Sequence, residues 1–118
     1  MVSDAKIETI RSSSGGVLGR AHSVVRGQRL VLDSSSRPQP DALTNSEAFL
    51  ASISSCGVTL IEVYAQEAGI PVARMAVTIE GVRTAAEPAR FSRITMRFEI
   101  AGVSQPQAEA LVETYRGR

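Results

Sequence analysis

The sequence predicts an α+β fold with antiparallel sheets, in the order β-β-β-α-β-β-α. Three observations carry this. Residues 90–101 alternate strictly, with Ile94, Met96, Phe98 and Ile100 on one side and Thr95, Arg97 and Glu99 on the other, the period of a strand with one wet face. Residues 44–68 place Phe49, Ile53, Cys56, Leu60 and Val63 at spacings of three and four, the period of a helix. The predicted strands come in hairpin runs before and after that helix, which favours antiparallel pairing over a parallel crossover sheet. A chain of 118 residues is long enough to bury one core and is expected to form a single domain.

Taken in order, residues 5–11 alternate loosely as a strand, and residues 12–16 form a Ser/Gly turn. Residues 17–26 and 28–33 are two further strands with Gly27 between them, completing a meander. Residues 34–43 hold three serines, Pro38 and Pro40, and are expected to be a loop leading into the helix. Thr44 and Glu47 have the S/T-x-x-E spacing of a capping box, which sets the helix start; Gly69 and Pro71 stop it. Small residues along its middle (Ala51, Ser52, Ser54, Ser55, Gly57) allow another backbone to come close, so a buried central helix is expected. Residues 72–84 form a strand with Met75, Val77 and Ile79 on one face, residues 85–89 a turn, and residues 90–101 the alternating strand. After Gly102, residues 105–115 form a second helix with Pro106 in its first turn and Ala108, Leu111, Val112 and Tyr115 on one face.

Composition narrows the function classes. Hydrophobic residues make up 43% and charged residues 21%, as in an ordinary globular protein. A net charge of +1 gives no general pull toward nucleic acid or an anionic membrane. The first residues have no apolar run behind a basic start, and no stretch is expected to span a bilayer; a cytoplasmic location is the expectation. The lone Cys56 rules out an intrachain disulfide and a cysteine-rich zinc site, and no cofactor or metal motif is present.

Cys56 has two readings: a small buried hydrophobe, or a nucleophile held as thiolate by a nearby cation. It lies mid-helix, so activation falls to an arginine; Arg20, Arg26 and Arg29 of the meander are candidates. Glu47 is either only the cap or also a carboxylate that orients such an arginine. Nine residues along one straight helix put Glu47 and Cys56 on opposite sides and ~13 Å apart, so a shared site would need a bend or a second chain. His22, the only histidine, has no partner pattern. Arg93 and Arg97 make a basic pair on a wet strand face, but aromatics are only 4% of the chain and do not support a nucleic-acid stripe.

The stretch Asn45-Ser46-Glu47-Ala48-Phe49-Leu50-Ala51-Ser52-Ile53-Ser54-Ser55-Cys56 resembles the N/S-P-x-E-L-L-L-A-A-L-G-S-C pattern of the OsmC/Ohr superfamily, the osmotically inducible and organic hydroperoxide resistance proteins, in its OsmC-like branch. The flanks resemble it too: Gly27 to Asp33 before the loop, Gly69-Ile70-Pro71-Val72 after the helix, and Glu87-Pro88-Ala89-Arg90-Phe91-Ser92-Arg93-Ile94 beside the family's E-x-P-x-x-F-x-x-I hairpin. The resemblance implies an intertwined homodimer with sheets wrapped around central helices. It also implies a thiol peroxidase for organic or hydrogen peroxides with a role in stress and detoxification. Cys56 would be the peroxidatic residue, Glu47 would hold an arginine, with Arg29 or Arg26 the choice, and an external thiol or dithiol would be the reductant. The family's resolving cysteine, expected in a C-P-x stretch soon after Tyr115, and its final strand have no counterpart up to Arg118. That departure keeps a second expectation open, a non-catalytic OsmC-like dimer that binds a small apolar ligand.

Overall fold

The computed structural model describes residues 5–117 and contains eight elements: β1 (Arg11–Ser14), β2 (Arg20–Val25), β3 (Gln28–Asp33), β4 (Leu43–Thr44), α1 (Asn45–Ala68), β5 (Arg74–Val82), β6 (Arg93–Ala101) and α2 (Gln105–Arg116). The fold is α+β with antiparallel sheets, as the alternating and helical periods predict. The chain divides into two compact units, Met1–Ala48 and Phe49–Arg118; α1 starts in the first and continues in the second.

The first unit is a four-stranded sheet in the order β1-β2-β3-β4. β2 and β3 pair antiparallel from Arg20↔Asp33 to Val25↔Gln28, leaving a two-residue turn at Arg26-Gly27. Both turn residues have positive φ, 52° and 76°, the geometry that matches the right-handed twist of a hairpin. Glycine adopts it without cost; Arg26 does not.

Two features of this unit depart from expectation. The first strand is Arg11–Ser14 and not residues 5–11. Its serines pair with β2 from Ser12↔Ser23 to Ser14↔Ala21, and the Ser12 and Ser23 hydroxyls are 2.8 Å apart, a cross-strand bond that a turn reading of a serine run misses. The 34–43 segment is also more than a loop. It ends in β4, which pairs parallel to β3 through Leu32↔Leu43 and Asp33↔Thr44, a pairing that the hairpin pattern did not suggest.

In the second unit β5 and β6 form an antiparallel hairpin from Arg74↔Ala101 to Val82↔Arg93. Met75, Val77 and Ile79 on β5, and Met96, Phe98 and Ile100 on β6, are partly buried, while Thr78, Glu80, Arg97 and Glu99 are exposed. α2 starts at a capping box in which Gln107 N donates to Ser104 Oγ and Ser104 N donates to Gln107 Oε1. The core is Ile61, Tyr64 and Ala65 of α1 with Leu111 of α2, flanked by Met75, Phe98, Ile100, Val112 and Tyr115.

The buried face of α1 is therefore not the expected one. Gly57, Ile61, Tyr64 and Ala65 face inward, whereas Phe49, Cys56 and Val63 are exposed. Both stripes have helical spacing, so periodicity alone could not choose between them. Gly57 decides it: a Cβ there would meet Met96 at 3.3 Å and Phe98 at 3.5 Å, so the hairpin reaches α1 where the side chain is missing. By length and composition α1 is also apolar enough to cross a membrane, contrary to expectation, but its Gly57–Ala65 side is packed by protein.

Candidate functional site

Cys56 sits in the middle of α1 and its thiol is exposed, which answers the first question of access. The hydroxyls around it are turned back onto the helix. Ser52 Oγ donates to the Phe49 carbonyl at 2.7 Å, Ser54 Oγ to the Leu50 and Ala51 carbonyls at 3.1 Å each, and Thr59 Oγ1 to the Ser55 and Cys56 carbonyls at 3.2 and 3.3 Å. This is the usual use of Ser and Thr inside a helix. It commits the Ser52, Ser54 and Thr59 hydroxyls to the helix backbone.

Glu47 forms the capping box expected of it. Thr44 N donates to Glu47 Oε1 at 2.9 Å and Glu47 N donates to Thr44 Oγ1 at 3.2 Å, two donors of the first turn satisfied reciprocally. The cap engages Oε1 and leaves Oε2 for another donor. Ser46 N donates to Ser35 Oγ at 3.2 Å, which ties the preceding loop to the same helix start.

Arg26 lies at the tip of the β2–β3 turn, and Arg29 is near the start of β3, opposite Val24. Both are exposed, and neither forms an ion pair among the described residues. His22, opposite Ser13 and Val31, is half-buried on β2, and its ring occupies the space that a side chain at Gly15 would need. Arg93 and Arg97 lie on the exposed face of β6. The described residues contain no cluster of His, Cys, Asp and Glu able to hold a metal ion.

The most elaborately held cation is Arg20. Its Nε donates to Asp33 Oδ1 at 2.7 Å and Nη2 to Asp33 Oδ2 at 2.9 Å. On the other edge Nη1 donates to Asp41 Oδ2 at 3.0 Å and Nη2 to Asp41 Oδ1 at 2.6 Å. The guanidinium thus holds two carboxylates bidentately, the geometry that its rigid fork favours. Hydrogen bonds from Arg20 hold both carboxyls below the usual carboxylate range, against the opposing effect of desolvation. The two carboxylates in turn keep Arg20 firmly protonated. The sequence placed Arg20 among three meander arginines and gave no reason to prefer it, because its partners lie 13 and 21 residues away. The available signal was Asp33, a charged residue ending an apolar strand.

Comparison with known proteins adds the family. The model of the OsmC-like protein family matches residues 38–118, which contain Glu47 and Cys56. No curated protein matches the chain in sequence. Solved structures share its fold. An OsmC-like protein from Mycoplasma pneumoniae superposes with a TM-score of 0.83 at 16% identity, over 98% of this chain and 84% of that one. The organic hydroperoxide resistance protein OsmC from Legionella pneumophila gives 0.71 at 21% identity, over 94% and 82%. An organic hydroperoxide resistance protein from Elizabethkingia anophelis gives 0.72 at 16%, over 95% and 82%. At these identities the superpositions speak for the fold, and the family model speaks for descent: this chain belongs to the OsmC-like protein family.

Proposed function

We propose that the protein is a thiol-dependent peroxidase of organic or hydrogen peroxides, with a role in peroxide stress, and that Cys56 is its nucleophile. The observation that carries this reading is an exposed cysteine on the central helix of an OsmC-like chain. Two fold neighbours named as organic hydroperoxide resistance proteins point the same way. In the proposed step the Cys56 thiolate attacks one peroxide oxygen and the O–O bond breaks. The sulfur becomes a sulfenic acid, and the other oxygen leaves as an alcohol or water after taking a proton. An external thiol then condenses with the sulfenic acid, releasing water and forming a mixed disulfide, and a second thiol restores Cys56. Cys56 is the one cysteine in these 118 residues, so the second sulfur in this scheme is not among them.

Arg29 or Arg26 supplies the positive charge beside the thiolate in this proposal, and Glu47, through Oε2, orients that arginine. The proposed working form is a homodimer. The exposed Phe49, Cys56 and Val63 stripe supports association through α1. The alternative, a dimer that binds a small apolar ligand without turnover, is favoured by one feature, a cleft of about 740 Å³ in the first unit lined by Val17, Leu18, Ala21 and Leu32 among serines.

The deciding experiment mixes reduced protein rapidly with cumene hydroperoxide and traps sulfenic acid at Cys56. The expected result is oxidation at least about tenfold faster than that of a free cysteine, loss of the adduct in Cys56→Ser, and slowing in Arg29→Ala or Arg26→Ala. A rate equal to that of free cysteine refutes the peroxidase and leaves the ligand-binding reading.

A further inference from the structure

Every described carboxylate of the first unit is already engaged. Glu8 pairs with Lys6 at 3.2 Å, Asp33 and Asp41 hold Arg20, and Glu47 caps α1. Arg11, Arg26, Arg29 and Arg37 of the same unit have no ion pair among the described residues. Two of these four stand together. Arg11 of β1 and Arg29 of β3 are both register partners of Val24 on β2, one from each side. Partners across antiparallel strands project on the same face, so the two arginine side chains leave the sheet on one face, either side of Val24.

That rung is open within this unit: Arg11 and Arg29 are exposed, and Val24 between them is 38% exposed. Neighbouring strands lie about 4.8 Å apart, so the two Cα atoms are about 10 Å apart, and each long side chain has to lean inward by only about half of that to meet over the valine. The next rung on this face, Ser13, His22 and Val31, holds no carboxylate, and Asp33 on the rung beyond is committed to Arg20. Two uncompensated like charges repel, and an anion between them relieves that repulsion. The Arg20–Asp33 pair shows what a carboxylate does: its two oxygens fill one edge of one guanidinium. Two separate guanidinium groups call for more acceptor oxygens and a second negative charge. We propose that Arg11 and Arg29 form a binding site for a dianionic tetrahedral oxyanion, free or as a phosphate monoester, seated above Val24. The site lies within the first unit, makes no use of Cys56, and stands whichever arginine serves the thiolate.

The test follows the arginine side-chain Nε–H resonances by NMR in the full-length reduced protein, titrated with sulfate, phenyl phosphate and acetate at constant ionic strength. Arg11→Gln and Arg29→Gln assign the two resonances, and each should weaken sulfate binding about tenfold, the loss of one charged pair of hydrogen bonds. Arg37→Gln should leave it unchanged. Sulfate should move the Arg11 and Arg29 signals together with one affinity, and acetate should bind at least about tenfold more weakly. Phenyl phosphate binding more tightly than sulfate, with the advantage lost in Val24→Ser, supports the site and assigns it to esters; equal affinity supports it and assigns it to the free ion. Acetate matching sulfate overturns the proposal. So do Arg11 and Arg29 signals that stay still or titrate independently, or shifts of equal size at Arg26 and Arg37. Should either Gln variant fail to fold, Val24→Glu sets a carboxylate between the two arginines. Sulfate binding that survives it also overturns the proposal.

Discussion

At the scale of single residues, short-range chemistry was legible and long-range pairing was not. The Thr44/Glu47 cap could be read from the sequence because both partners lie within one helical turn. The Arg20 trio could not, since the strand ladder and the following loop bring Asp33 and Asp41 to it. Its consequence for pH has a definite sign. Both carboxyls titrate below the ordinary value of 3.8 in the folded chain. Their contribution is therefore fully present above that value and is lost as the pH falls through the lower, folded values. Acid unfolding followed by circular dichroism should begin below pH 3.8 in part because of this cluster, and Asp33→Asn should flatten the stability profile there. Arg26 offers a second prediction. Its φ of 52° is costly for an arginine, so Arg26→Asn should stabilise the protein by about 0.5–1 kcal/mol in urea melts. If Arg26 also serves the thiolate, the same variant slows sulfenic acid formation while it raises stability, which separates the two roles.

At the scale of elements, α1 was legible as a helix and its inward face was not. The sequence offers two apolar stripes, and only packing chooses between them. The distinction is measurable. Ile61, fully buried, should cost about 2–5 kcal/mol when changed to Ala. Gly57 is informative in the opposite direction. Ala gains up to about 1 kcal/mol of helix propensity over Gly, and its tightest contact is the flexible end of Met96 at 3.3 Å, so Gly57→Ala should be close to neutral. Gly57→Leu has no such room and should cost about 1–3 kcal/mol through overpacking. For α2, Gly102 and Pro106 bracket the helix start in the sequence, whereas the capping box that joins Ser104 to Gln107 is a finding of the structure. Ser104→Ala should lower stability by about 1 kcal/mol in the same melts.

At the scale of the whole molecule, the α+β class and the element order followed from periodicity, and the family from the 45–56 motif. The parallel β3–β4 rung did not, because two residues are too few to carry a period. The proposed homodimer belongs to this scale as well. Sedimentation should give a species of twice the 12.6 kDa chain, and Val63→Glu on the exposed side of α1 should shift it toward the single chain without unfolding it. The β3–β4 rung has one more consequence. It clasps the two ends of the 34–42 segment, so the length of chain between them is uncoupled from the register of everything that follows. Closing a longer span costs only about 0.6 kcal/mol per doubling. The bend near Ser36 is thus a natural port for foreign sequence: an epitope or a sensor peptide grafted there would be carried as a pendant while the strands and α1 keep their frame.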